Sequence, residues 1–371
     1  MIIKSLAVAN LRSFSYAALT PEKKVNIIVG NNNAGKTTLL EALSIASTLK
    51  SFKKSVSEDY IKYGQKGVKI SINAIKCTEN LQIVIEKSLN SSNIARINGK
   101  LIGAKKISTL FPTISLSFGT ENIVNQPAEL RRNLIDWGVF HVKPESLNTY
   151  QNYTKCLKQR NFLLKSKKFA EIDYWTEQLI SHGVLITDLR KNYCSTLVET
   201  YACHIEKLKT LGFDIHQDLT HICIGFYQGW ESNIALAEAL DKNLVQDKAL
   251  GYTRYGPHKA DLSFLSNNGE LKKHASMSTL VISSLILMLS QCEVFHVKHN
   301  YKPILLIDDL FFGIDDLNLK LVIKLLIQAK ATCFLTAPDL YRDKLKLICS
   351  KFPEVDIFTI KDQKISKTTE D

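Results

Sequence analysis

The sequence predicts an α/β domain interrupted by a long helical insertion, and three observations predict it. Val25-Asn26-Ile27-Ile28-Val29 is a short apolar run stopped by Gly30, with the length and composition of a buried strand. A helix follows it, with Leu39, Leu40, Leu43 and Ala46 on one face. Near the other end, Ile304-Leu305-Leu306-Ile307 after Pro303 reads as a second buried strand, and Thr332 to Thr336 as a third. Between them, from about Leu130 to Leu250, the pattern is that of long amphipathic helices. Leu147 to Lys167 is one; Glu171 to Thr210 is another, with a break expected near Gly183. Glycine is sparse in this stretch and proline is absent after Pro144, while α/β patterning resumes beyond it, as an inserted helical lobe requires. The expected division is an α/β lobe from residues 1–125 and 250–371, with a helical lobe at 126–249.

The segment from Lys69 to Ile97 adds strands. Ile70 and Ile72 lie on one, and Leu81, Ile83 and Ile85 alternate with more polar neighbours on the next. From Lys361 to Asp371 the chain reads as a polar tail. A 45% hydrophobic content with only 16 Gly and 8 Pro excludes disordered and collagen-like classes. The net charge of +12 makes a polyanion, nucleic acid or an anionic membrane surface, a reasonable partner. Eight cysteines stand singly, none at zinc-like spacing. Cys223 between Ile222 and Ile224, and Cys333 beside Phe334, are expected in buried strands as reduced thiols, which suits a cytoplasmic protein. Met1 to Val8 has no cleavage site of a secretory leader. The longest apolar stretch, Leu280 to Leu289, is about half of what spans a bilayer, so no membrane partner is expected.

Gly30-Asn31-Asn32-Asn33-Ala34-Gly35-Lys36-Thr37 fits G-x-x-x-x-G-K-S/T completely, between a buried strand and a helix. The spacing has a physical reason. Two glycines let the backbone turn so that successive N–H groups converge on one anion, and the helix N-terminus adds partial positive charge. Lys36 reaches the β- and γ-phosphates, the Thr37 hydroxyl joins a Mg²⁺ shell, and Thr38 is counted with Gly30 to Thr37 among the nucleotide-binding residues. At the end of the second strand run, Asp308 is placed to hold Mg²⁺ directly or through water. Asp309 is placed to orient or deprotonate an attacking water. A chance glycine turn and a solvated acidic loop are the plainer accounts of these two motifs, and the pair together outweighs them.

Several further blocks resemble the RecF family of DNA replication and repair proteins, within the SMC-like and ABC-type ATPases. Asn10-Leu11-Arg12-Ser13-Phe14 resembles N-F-R-N-Y, and Gly30 to Glu41 the phosphate loop with L-L-E-A after it. Asn98-Gly99-Lys100 resembles N-G-K; Arg131-Arg132 with Asp136-Trp137-Gly138 resembles R-R-x-x-x-D-W-G. Leu157 to Asn161 resembles L-K-Q-R-N. Tyr252-Thr253 with Gly256 to Leu262 resembles Y-T-x-x-G-P-H-R/K-x-D-L. The resemblance runs nearly end to end. It implies an ABC/SMC-type ATPase head whose helical second lobe lies between the two halves of the nucleotide site. It also implies an ATP-dependent homodimer that binds ATP with Mg²⁺ between its protomers, binds double-stranded DNA, works with recombination mediator proteins and helps load the recombinase at gaps. Asp315 matches the family's D-loop aspartate, and Arg12 is expected near the nucleotide. His258 is expected either there or as a structural turn residue.

One departure bears on activity. Where the family has L-S-x-G-Q before a helix, this chain has Ala275-Ser276-Met277-Ser278-Thr279. Ser276 is kept, but Ser278 replaces the glycine and Thr279 the glutamine. A Cβ at that glycine threatens the backbone angles or the close approach to a partner's γ-phosphate, although both serines can still cap the helix. Two outcomes are therefore carried: a slow DNA-stimulated ATPase, or a DNA clamp that holds ATP and barely hydrolyses it. A milder departure is Phe118-Gly119-Thr120-Glu121, where the family has F-x-P-E. The ATPase subunit of a membrane transporter fits poorly, since Lys36 and Asp308 are too far apart, the signature is degenerate, and Asp309 stands where a glutamate is usual. Lys50, Lys53 and Lys54, and also Lys158, Arg160, Lys165, Lys167 and Lys168, are basic clusters that could meet DNA phosphates or be solvated helix faces. Arg131 and Arg132 are the better candidates for DNA because they lie in a matched block.

Overall fold

Along the chain, the first elements are β1 (Ile2–Leu11), β2 (Phe14–Leu19), β3 (Val25–Gly30), α1 (Lys36–Thr48), β4 (Gly67–Lys76), β5 (Glu79–Ser88), β6 (Ile94–Ile97), β7 (Lys100–Leu101), α2 (Ala104–Leu110) and β8 (Thr113–Ser117). Helices dominate next: α3 (Ala128–Val142), α4 (Leu147–Ser166), α5 (Ile172–Thr210), β9 (Cys223–Tyr227), α6 (Leu236–Lys242), α7 (Leu244–Leu250), β10 (Asp261–Ser266), β11 (Gly269–Glu270), α8 (Leu271–His274) and α9 (Met277–His299). The chain closes with β12 (Ile304–Asp308), α10 (Asp316–Ala329), β13 (Cys333–Pro338), α11 (Arg342–Cys349), β14 (Val355–Lys361) and β15 (Lys364–Lys367). This computed structural model describes all residues except 52–58, 90, 92, 118–121, 211–218, 220, 312–313 and 369–371. Lys53, Lys54 and the Phe118–Glu121 stretch therefore lie outside the described residues.

The chain divides into two compact units, one made of Met1–Asn122 with Phe295–Asp371, the other of Ile123–Val294. The expected helical lobe ended at 249, whereas the second unit continues to Val294. The reason is β10, which pairs with β9 in the antiparallel sheet β11-β10-β9 and ties the residues after 250 to that unit.

In the first unit, one sheet has the order β15-β14-β3-β13-β12-β8, parallel except for β15, which pairs antiparallel with β14. Its inner strands are buried along their length, which is why Val25–Gly30 and Ile304–Asp308 read as unbroken apolar runs. The expected polar tail thus contributes a strand at Lys364–Lys367. The other sheet, β2-β1-β4-β5-β6-β7, is antiparallel throughout, and the alternation at Leu81, Ile83 and Ile85 faces its core. Asn98 and Gly99, with φ of 49° and 79°, make the tight turn from β6 to β7. α1 packs against strands of both sheets, so it is buried nearly all round, the polar Glu41, Ser44 and Ser47 included.

In the second unit, α4 buries Tyr153, Cys156, Arg160, Leu163 and Leu164 on one face, at the 3–4 spacing of a helix. α5 runs unbroken through Gly183. A Cβ there would lie 2.7 Å from Leu236 Cδ2 and 3.2 Å from Tyr153 Cε2, so the glycine serves close packing instead of a break. Cys223 is exposed, because alternation on β9 turns Ile224 inward and Cys223 outward. Cys77 and Cys203 are exposed too, whereas Cys333 and the other four are buried. α9 has 23 residues, so length does not exclude a membrane span as the shorter apolar run suggested. Of its apolar 18-residue window 83% is buried in the protein, as in a core helix.

Candidate functional site

The parallel sheet brings its chemistry to the C-terminal ends of three neighbouring strands. Gly30 ends β3, Thr336 lies near the end of β13, and Asp308 ends β12. Gly30 is closely packed, since a Cβ would lie 2.9 Å from the Ile360 carbonyl. The loop then turns through Asn33 and Gly35, both left-handed, at φ of 63° and 101°. At Gly35 a side chain is excluded twice over: by its φ, and by the Phe14 ring, which would lie 2.5 Å from a Cβ. Phe14 of the Asn10–Phe14 block thus backs the phosphate loop.

Gly35 also starts α1. Among the described residues, no side chain caps this terminus and no acidic residue stands in its first turn. The first helical N–H groups therefore face outward without intrahelical acceptors, an arrangement suited to an anion. Asn31, Asn32 and Asn33 are exposed. Lys36 is 8% exposed, and its Nζ donates to the carbonyls of Gly30 and Asn31, each at 2.9 Å. Burial pushes the ammonium below its ordinary range, while the carboxylates of Asp309, Asp308 and Asp339 draw it partly back. Thr38 is buried in the first turn of α1.

Asp308 is buried and its Oδ1 accepts from two hydroxyls, Thr37 Oγ1 at 3.0 Å and Thr336 Oγ1 at 2.7 Å. Asp309 is half-buried, has a φ of 54°, and donates its N–H to Thr336 Oγ1 at 2.9 Å. Lys36, Thr37, Asp308 and Asp309 thus come together from positions far apart in sequence. The adjacent hydroxyl and carboxylate of Thr37 and Asp308 are all-oxygen donors carrying one negative charge, which fits a hard cation such as Mg²⁺.

Other expected residues have different surroundings. Arg12 closes on the fully buried Glu41 of α1 through Nε at 3.1 Å and Nη2 at 2.8 Å, and donates to the Asp59 carbonyl at 2.8 Å. It anchors the phosphate-loop helix to the end of β1. Asp315 caps α10, accepting from the Asn318 N–H at 2.9 Å. Ser276 caps α9 by accepting the Thr279 N–H at 3.2 Å, and Ser278 lies within that helix without a positive φ. The serine at the glycine position is therefore under no backbone strain here.

Arg131 and Arg132, expected at DNA, both have partners within the second unit. Arg131 makes a two-pronged pair with Asp261 at 2.6 and 2.8 Å and also donates to the Val124 and Gln126 carbonyls. Arg132 donates to the Ala260 carbonyl at 2.7 Å. Arg160 leaves the basic cluster altogether: it is fully buried against Asp247 at 2.9 Å and Thr253 at 2.6 Å. His258 is a structural turn residue of the second unit. Its Nε2 donates to the Thr253 carbonyl at 3.0 Å, so Nδ1 accepts the Tyr153 hydroxyl at 2.7 Å, and burial pushes the ring down to about 4.

Sequence reasoning missed Thr336 beside Asp308 and Asp339 near Lys36, and it placed Glu41 in a matched block without its partner Arg12. A threonine inside the apolar run Cys333 to Ala337 was the available signal for the first.

Comparison with known proteins is consistent with this geometry. The AAA ATPase domain family matches residues 1–224. The DNA replication and repair protein RecF of Shewanella pealeana is 30% identical over 342 residues, covering 91% of this chain and 92% of that protein. The RecF protein of Stenotrophomonas maltophilia is 29% identical over 354 residues, covering 91% and 93%. Among solved structures, the recombination mediator protein RecF-ATPrS of the RecFOR pathway superposes with a TM-score of 0.80 at 23% identity, covering 99% of this chain and 98% of that one. An Smc head domain from Pyrococcus furiosus reaches 0.57 at 13%, covering 99% and 96%. At such identities the structural likeness establishes the ABC/SMC-type head fold. The sequence relatives, matched along nine-tenths of both chains, establish more: the chain belongs to the RecF family of DNA replication and repair proteins.

Proposed function

We propose that this protein binds ATP with Mg²⁺ at Gly30–Thr38 and, as an ATP-dependent homodimer, binds double-stranded DNA in recombinational repair. The observation that carries the reading is the uncapped phosphate loop, with Lys36 folded into it and Thr37 in contact with Asp308. Lys36 and the loop N–H groups hold the phosphates. Thr37 and Asp308 would hold Mg²⁺, which offsets phosphate charge, and Asp309 would orient the attacking water. Interaction with recombination mediator proteins and help in loading the recombinase at gaps are supported by family membership and by the solved relative's description as a recombination mediator.

For DNA, the face of α4 opposite its buried stripe offers a basic surface. Lys155, Lys158, Phe162 and Lys165 follow one another at helical spacing and are exposed, with Lys167 and Lys168 just beyond. Lys155 and Lys158 also line a shallow cleft of about 440 Å³ with Tyr150, Gln151, Thr154 and Gln159. Such a face reads phosphates, not bases. A second reading, an ATP-held clamp with little turnover, is favoured by Ser278 and Thr279 in the signature position.

ATP affinity and steady-state hydrolysis with and without double-stranded DNA test both readings. Lys36→Ala is expected to weaken ATP by on the order of a hundredfold, and unchanged affinity would overturn the site. DNA-stimulated turnover lost in Asp308→Ala means a working ATPase, while ATP binding with no turnover means the clamp. Charge reversal at Lys155, Lys158 and Lys165 should flatten the salt dependence of DNA affinity by about 0.9 in log–log slope per lost contact.

A further inference from the structure

The strand carrying the phosphate loop and the strand carrying Asp308 are not neighbours, because β13 lies between them. One β13 side chain bridges to the acidic pair. Thr336 is 0% exposed and pairs with Ile28 of β3 on one side. On the other side its hydroxyl donates to Asp308 Oδ1 at 2.7 Å and accepts the Asp309 N–H at 2.9 Å. A hydroxyl has a single proton, so these two contacts fix its orientation completely.

Both contacts act on groups that are otherwise hard to hold. The Asp308 carboxylate is buried, where each lone pair left without a donor is costly. The Asp309 backbone, at a φ of 54°, lies in the left-handed region, which residues with a Cβ seldom adopt without local support. The Thr336 hydroxyl offsets that tendency by anchoring the Asp309 N–H. Its loss would remove one of the donors that orient the carboxylate and the acceptor that holds the turn.

We propose that Thr336 is a positioning residue of the phosphate site, holding the Asp308 carboxylate toward a divalent cation and setting the turn that presents Asp309. This rests on the reading of Gly30–Thr37 and Asp308 as a nucleotide and Mg²⁺ site. Thr336→Val keeps the shape and removes the hydroxyl, while Thr336→Ser keeps the hydroxyl.

The test is ATP binding by the full chain, measured by calorimetry across a Mg²⁺ series and in excess chelator. Thr336→Val should raise the Mg²⁺ needed for half-maximal binding by about tenfold or more, as lost partners of metal ligands do. It should leave binding in chelator unchanged, and Thr336→Ser should restore the Mg²⁺ requirement. A purely structural role would instead lower the unfolding temperature with the Mg²⁺ requirement unchanged, and that result would overturn the proposal. If the valine variant does not fold, Thr336→Ala is judged by the same titration. Asp308→Asn separates the two levels. If it raises the Mg²⁺ requirement while Thr336→Val does not, only the role of Thr336 is lost. If Asp308→Asn is also silent, the metal-site reading itself fails.

Discussion

At the phosphate loop, Lys36 donates to carbonyls of its own loop, three asparagines face solvent, and among the described residues no side chain caps the helix start. In the helical unit, residues from equally recognisable blocks are tied up by partners within the unit. Arg131 pairs with Asp261, Arg160 with Asp247, and Arg190 with Asp136, whose Oδ1 also accepts the Tyr150 hydroxyl at 2.8 Å. Asn161 accepts both the Thr253 N–H and its hydroxyl. The first region keeps polar groups presentable to a ligand; the second uses them to fasten helices to the turn at 252–262. A matched block is therefore not by itself a binding site. The partners of its charges decide which kind it is.

That contrast is breakable. Arg160→Met leaves the Asp247 carboxylate buried and unpaired, and should destabilise the protein by about 3–5 kcal/mol in denaturant unfolding. Arg160→Met with Asp247→Leu should recover much of this. If the single change instead left stability intact and reduced DNA binding, the block would be a DNA surface and the contrast would fail.

His258 sharpens it through pH. Its ring is held at about 4 in the folded chain against an ordinary 6.5, so the unfolded chain binds more protons between those values. Stability therefore falls as the pH drops from about 6.5 to about 4, by about 3 kcal/mol in total. His258→Gln should flatten that part of the pH–stability curve. A histidine that contacted the nucleotide would show the pH effect in ATP affinity instead.

The smallest effect concerns Gly138 of the Asp136-Trp137-Gly138 block. A Cβ there would lie 1.9 Å from Tyr193 Cζ, so Gly138→Ala must displace a buried ring. The expected cost is about 1–3 kcal/mol, reduced by the roughly 1 kcal/mol that alanine adds to helix propensity. A stabilised variant would mean that α3 and α5 pack less closely than this.

The residues that come together at the proposed phosphate site, Lys36, Thr37, Asp308 and Asp309, were legible in the sequence. Thr336 was marked only as a lone threonine in an apolar strand, a signal that does not say what lies beside it. Arg160 was misread as surface, since it stands among lysines and only the helical phase of α4 separates it from them.

By itself, then, the sequence determined what is local: the glycine spacing of a phosphate loop, the apolar runs of buried strands, and the helical periodicity of the insertion. These depend on neighbours within a turn or a strand. Tertiary structure alone decided which charges are available. Arg131 meets Asp261 across 130 residues, and Arg160 meets Asp247 across 87. No local pattern encodes such a partner, yet once buried each charge must find one, because an unpaired ion in the interior costs more than the fold can sustain.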